Sequence, residues 1–119
     1  MVNYLVEKEY QGLVDAYEKA GGERSALLSR DIASLVVHEN KILNATEIEG
    51  VKLIGESREH GIEAGLVIEE GYKVSRPIHL CFGILPQEGL QEIVLRVNVK
   101  RGAQVNVIAH CLFPNAVHI

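Results

Sequence analysis

Three side chains in the second half of this 119-residue sequence could do chemistry together: His79, Cys81 and His110. Residues two apart on a β-strand face the same side, so a strand through 79–81 presents the imidazole and the thiol together. Shifting the sequence by 31 residues carries Gly71 onto Gly102 and, without a gap, His79 onto His110 and Phe82 onto Phe113. If the two copies stack as neighbouring strands, the imidazoles lie about 4.8 Å apart. Imidazole and thiolate are ligands for zinc or iron, and closed structural sites take four. His79, Cys81 and His110 are therefore the metal candidates, as a sub-site with three donors. The plainer reading is a histidine ladder packed under a helix. His38, His60 and His118 are scattered and receive no role. Glu69 and Glu70 resemble a catalytic pair, but neighbouring strand residues face opposite ways, which makes them a solvated corner. There is no phosphate-binding glycine loop and no nucleophile elbow. The sequence predicts no enzyme.

The elements that must position these residues follow from the repeat. Leu66–Val74 falls on Val97–Val105, and each copy reads as a strand, a charged pair, a glycine and a longer strand. A sharp corner between strands needs one residue at positive φ, which glycine takes without steric cost. A fainter copy, Leu35–Leu43, places Asn40 where the glycine would stand. Units of this kind stack as a solenoid; two similar hairpins in an antiparallel sheet are the alternative. Along the second strand Val74, Ile78, Leu80 and Phe82 point inward, with Val105, Val107, Ala109, Cys111 and Phe113 as their equivalents. Cys111 is then predicted to be a buried small hydrophobe. Upstream, Val2, Leu5, Val6, Leu13, Val14 and Tyr17 fall near one face of a helix over 2–20, stopped by Gly21-Gly22. Residues 23–31 form a polar connector with one helical turn around Ser25 to Leu28. Strands are predicted at 32–37, 42–43 and 51–54, with a loop over 55–61. A turn follows at 86–89, and an alternating strand runs over 90–99. The chain divides into 1–31, helix and connector, and 32–119, the strand region.

Net charge is −4, from 12 basic and 16 acidic residues, and no basic patch stands out; nucleic acid is not an expected partner. With no tryptophan and two phenylalanines, the core must be aliphatic. No apolar run approaches the length that crosses a bilayer, and the N-terminus lacks the pattern of a signal peptide. A cytoplasmic chain with two free cysteines is expected. The Pro114-Asn115 turn and apolar end suggest that a further strand begins where the sequence stops. The last rung would then be open to strand addition, with a homo-oligomer as the expected closure.

Two strings carry a family resemblance: Val74-Ser75-Arg76-Pro77-Ile78-His79-Leu80-Cys81-Phe82-Gly83-Ile84-Leu85-Pro86 and Ile108-Ala109-His110-Cys111-Leu112-Phe113-Pro114-Asn115-Ala116. With Ile62–Gly71 before them they resemble the SufB/SufD family, core subunits of an iron–sulfur cluster assembly machinery. The likeness is greatest to short archaeal-type members and covers the last half of the chain, extending weakly back to Gly22-Glu23-Arg24-Ser25. It implies the start of a right-handed parallel β-helix in a mainly β chain with an N-terminal α-helix. It also implies pairing with a SufB/SufD paralogue and binding of a SufC-type ABC ATPase. The ATPase-binding region and the late cluster site of that family have no counterpart here, so no residue is carried over to them. The expected chain is an N-terminal portion, a split gene product or a truncated relative. It would be a non-catalytic scaffold subunit in iron–sulfur cluster assembly. The alternatives are a small metal-binding protein using His79, Cys81 and His110, holding zinc, iron or a cluster, and a structural β-solenoid interaction module.

Overall fold

The computed structural model describes residues 4–119, with side chains from Glu7 onward. Helix α1 (Tyr4–Lys19) and the short α2 (Ser25–Leu28) precede seven strands. These are β1 (Ser34–His38), β2 (Lys41–Thr46), β3 (Val51–Arg58), β4 (Gly61–Ile68), β5 (Ile78–Gly83), β6 (Glu92–Val99) and β7 (Val107–Leu112). The predicted helix over 2–20 matches α1, except that Val2 and the side chains of Leu5 and Val6 lie outside the described residues.

The strands form two mixed sheets, ordered β2-β1-β5-β7 and β3-β4-β6, which do not close into one another. The repeat is visible as parallel pairing in both: β4 with β6, and β5 with β7. Gly71 and Gly102 sit at the two corners with φ of 77° and 72°, where a side chain would crowd the backbone. The Gly71 amide donates to the Arg101 carbonyl across the corners, so the two turns stack as the strands do.

Alternation decides which residues meet between the sheets. Leu35 and Val37 of β1, Ile78, Leu80 and Phe82 of β5, and Ile62, Ala64, Leu66 and Ile68 of β4 form one buried cluster. The opposite face of the four-stranded sheet is covered by α1 and α2. Leu13, Val14 and Leu27 pack there on Val36, Cys81 and Leu112. On the outer face of the three-stranded sheet, charges run base–acid–base across the strands. Glu63 is held by Arg58 on one side and Arg96 on the other; Glu69 lies between Lys52 and Lys100. The Glu69 and Lys100 corners are thus paired as well as wet.

Four expectations need correction. The first is the gapless repeat. Lys73 bridges to Gln104 and keeps the shift of 31, but Ile78 pairs with Val107, a shift of 29. The first copy carries two more residues between corner and strand, so His79 lies beside Ile108 and Phe82 beside Cys111. The second is the third copy. β1 and β2 form an antiparallel hairpin in one sheet, and the residue at positive φ is Glu39 (56°), not Asn40. The third is the loop over 55–61. β3 extends to Arg58 in an eight-residue hairpin with β4, turning at Glu59-His60; its polar outer residues suit an edge strand with one wet face. The fourth is Cys111, which points inward as predicted but is exposed, because β7 has no further strand beside it in its sheet.

Candidate functional site

His79 and Cys81 leave β5 on the side opposite the inter-sheet core, and β7 brings His110 directly beside Cys81. The cross-strand neighbours are therefore Cys81 and His110, with His79 one step away. The helix completes the cluster. The Tyr17 ring of α1 stacks on His110, with centroids 4.2 Å apart and planes within 8°, and meets His79 edge-on at 6.4 Å. One aromatic thus roofs two imidazoles while Cys81 lies fully buried beneath.

This setting is dry. Burial lowers the basicity of His79 and outweighs the opposing charge of Glu23, and burial together with His79 lowers that of His110. Burial, then the neighbouring Cys111, pushes the Cys81 thiol up to about 12, which keeps it protonated. Nδ1 of His79 and both ring nitrogens of His110 are buried without a hydrogen-bond partner. As for a metal, the three donors share a face, yet among the described residues no group of three or more His, Cys, Asp or Glu side chains is placed to hold one ion. The arrangement packs α1 onto the sheet through neutral rings.

A pH dependence follows. The unfolded imidazoles take up protons as pH falls through about 6.5, while the folded ones resist until lower pH. The unfolded state then binds more protons, so stability falls as pH drops. The loss is expected to begin near pH 6.5, above the range where carboxylates titrate. Urea unfolding between pH 8 and 5 measures it, and His79→Phe with His110→Phe, which keeps the ring contacts, should flatten the slope. An unchanged slope in the double variant would assign the titration elsewhere.

Sequence reasoning missed His38. It is buried at the end of β1, and its Nε2 accepts the Leu85 amide at 3.2 Å. The ring proton therefore belongs on Nδ1, which lies 3.4 Å from Glu9 Oε2 of α1, long for a hydrogen bond. Burial works against the Glu9 carboxylate, but Lys41, 2.9 Å away, and His38 outweigh it and hold Glu9 below the ordinary carboxylate value. No local signal could find this contact, since its partners lie on three separate elements. It fixes α1 over the sheet at one end, as Tyr17 does at the other.

What the fold and site define is a class: a mainly β chain, its parallel strand pairs repeating at corners and roofed by one helix, with apolar side chains where its strands end unpaired. Comparison with known proteins supplies the family. The chain is 37% identical over 109 residues to an iron–sulfur cluster assembly SufBD family protein of Pyrococcus horikoshii, covering 92% of this chain and 33% of the relative. A protein of the same description from Methanocaldococcus jannaschii is 25% identical over 109 residues, 92% of this chain and 34% of its own length. This chain belongs to the SufB/SufD family. It spans about one third of the length of these curated relatives. No family model and no solved structure matches it.

Proposed function

We propose that this chain forms the opening turns of a right-handed parallel β-helix that serves as a non-catalytic scaffold segment in iron–sulfur cluster assembly. The observation that carries this reading is the stacked repeat: β4 on β6, β5 on β7, and two matched corners at Gly71 and Gly102. In a chain built this way each rung presents its edge to the next. Inward-facing Leu95, Val97, Val99 and Val107 are 38%, 48%, 44% and 37% exposed, and β6 and β7 are the outermost strands of their sheets. Such an edge invites strand addition. In this reading the protein pairs with a like subunit or a SufB/SufD paralogue, a SufC-type ABC ATPase drives the assembly, and the cluster is cargo. The site of action is the cytoplasm.

The test is anaerobic co-expression with the SufC-type ATPase and SufB/SufD paralogue of the same source organism. Co-purification is followed by light scattering and by analysis of iron and acid-labile sulfide. A complex of defined mass that retains this chain supports the scaffold role. A folded chain that stays monomeric and outside the complex refutes it.

A further inference from the structure

Cys81 of β5 and His110 of β7 are direct cross-strand neighbours on one face of their sheet. Tyr17 closes over them, its ring stacked on His110. Their backbones are one strand spacing apart, about 4.8 Å. An ion joining a sulfur to an imidazole nitrogen spans about 4.3 Å, from metal–sulfur and metal–nitrogen lengths of about 2.3 and 2.0 Å. Neighbours at this spacing can share one ion while the strands stay where they are. Two further features single the pair out. Both ring nitrogens of His110 are buried without a partner, although a neutral imidazole always keeps one nitrogen lone pair to offer. Buried polar nitrogens in folded proteins are normally satisfied by protein, water or ligand. The surroundings are also apolar. Leu13, Val14, Leu27 and Leu112 share the cluster of Cys81, and Tyr17 packs against it. Glu23, whose charge reaches His79, acts on neither Cys81 nor His110.

We propose that Cys81 and His110 form a two-coordinate site for a soft monovalent cation, Cu(I), held between the sulfur and one imidazole nitrogen. Ligand number argues for this ion. A third donor would have to be His79, and among the described residues no three such side chains converge. Zinc, which takes four ligands, is left short. Charge argues the same way. One thiolate and one monovalent ion sum to zero, which a dry site tolerates, whereas a divalent ion leaves a net positive charge buried with no carboxylate beside it. Thiolate is also a ligand that selects Cu(I). The exchange balances. A copper–sulfur bond forms, the S–H bond breaks, its proton leaves to solvent, and no oxidation state changes. His110 gives a lone pair and stays neutral. The free thiol, pushed up to about 12 by burial and Cys111, is protonated at neutral pH, so binding releases one proton and affinity rises about tenfold per pH unit. The site does not rest on the scaffold role, since both donors and the Tyr17 roof belong to this chain.

The test uses the Cys111→Ser chain, in which Cys81 is the one remaining thiol. It is kept anaerobic and titrated with Cu(I) against a chromogenic Cu(I) chelator, with Ag(I) as a second probe that needs no reductant. One equivalent is expected to bind, with affinity rising about tenfold per unit between about pH 6 and 8. NMR should show the His110 ring nitrogens shifting as Ag(I) is added. In the same background Cys81→Ser should abolish binding. His110→Phe, which keeps a ring under Tyr17, should weaken it at least about tenfold. Backbone amide spectra establish that each variant is folded, and the His110 ring shift decides the matter without either variant. Four results would each overturn the proposal: no binding, binding with the His110 ring signals unmoved, full affinity in folded His110→Phe, or Zn(II) held as tightly as Cu(I).

Discussion

Replacing Leu80 with alanine is expected to destabilise the protein by about 2–5 kcal/mol, the cost of emptying a packed leucine site. Leu80 is fully buried. It pairs with Leu35 on one side and Ala109 on the other, and it sits in the cluster with Ile62, Ala64, Leu66 and Ile68 of the facing sheet. No neighbour can relax into the void without leaving its own ladder. A domain of this size has a total stability of about 5–15 kcal/mol, so the variant loses a large share of it. The midpoint of thermal unfolding should fall by roughly 10–20 °C. Leu90, 58% exposed, is the control; its replacement with alanine should change stability by no more than about 0.5 kcal/mol. Similar losses at Leu80 and Leu90 would mean that the inter-sheet core is not where stability lies.

The same residue shows how much of the fold is legible in the sequence. Strand periodicity alone puts Leu80 and Phe82 on one face and His79 and Cys81 on the other, and the structure has them so. Glycine chemistry alone locates the two corners. What periodicity cannot register is a local change in length. Val74–Pro77 in one copy stands where Val105-Asn106 stands in the other, and a shift by a fixed number of residues runs past the difference. The gap moves His110 from His79 to Cys81 and alters the chemistry that the cluster could perform. Burial was illegible for a related reason. The inward direction of Cys111 follows from its place on the strand, but its exposure depends on what lies beside β7. The Arg58 end of β3 shows a third limit. A strand whose side chains mostly face water has the composition of a loop, and only its eight-residue pairing with β4 makes it a strand. His38 and Glu9 are farther still from any sequence signal, because the contact exists only once α1 has docked.

Gly61→Ala is expected to cost about 1–3 kcal/mol or more, although alanine is the smallest possible addition. Gly61 begins β4, where it is buried between two partners: Arg58 across the hairpin and Glu92 in the parallel ladder. A Cβ there would run into the Glu92 backbone carbonyl and the atoms beside it. A flexible side chain could swing away from such a clash, but this is main chain already committed, since the Glu92 amide donates to the His60 carbonyl at 2.8 Å. Relief requires β6 to move off β4 at the point where their parallel register starts. Gly65, four residues on in the same strand, provides the contrast. A Cβ at Gly65 meets Ile54 at an ordinary 3.6 Å, and its φ is not in the left-handed region. Gly65→Ala should therefore be neutral, or stabilising by up to about 1 kcal/mol through the lower entropy of the unfolded chain. Urea unfolding of both variants, with amide exchange along Glu92–Val99, measures the difference. The expected result is faster exchange at the Glu92 end of β6 in Gly61→Ala and unchanged exchange in Gly65→Ala. If the two variants behave alike, β6 does not pair with β4 in the register seen here, and the stacked repeat loses its main support.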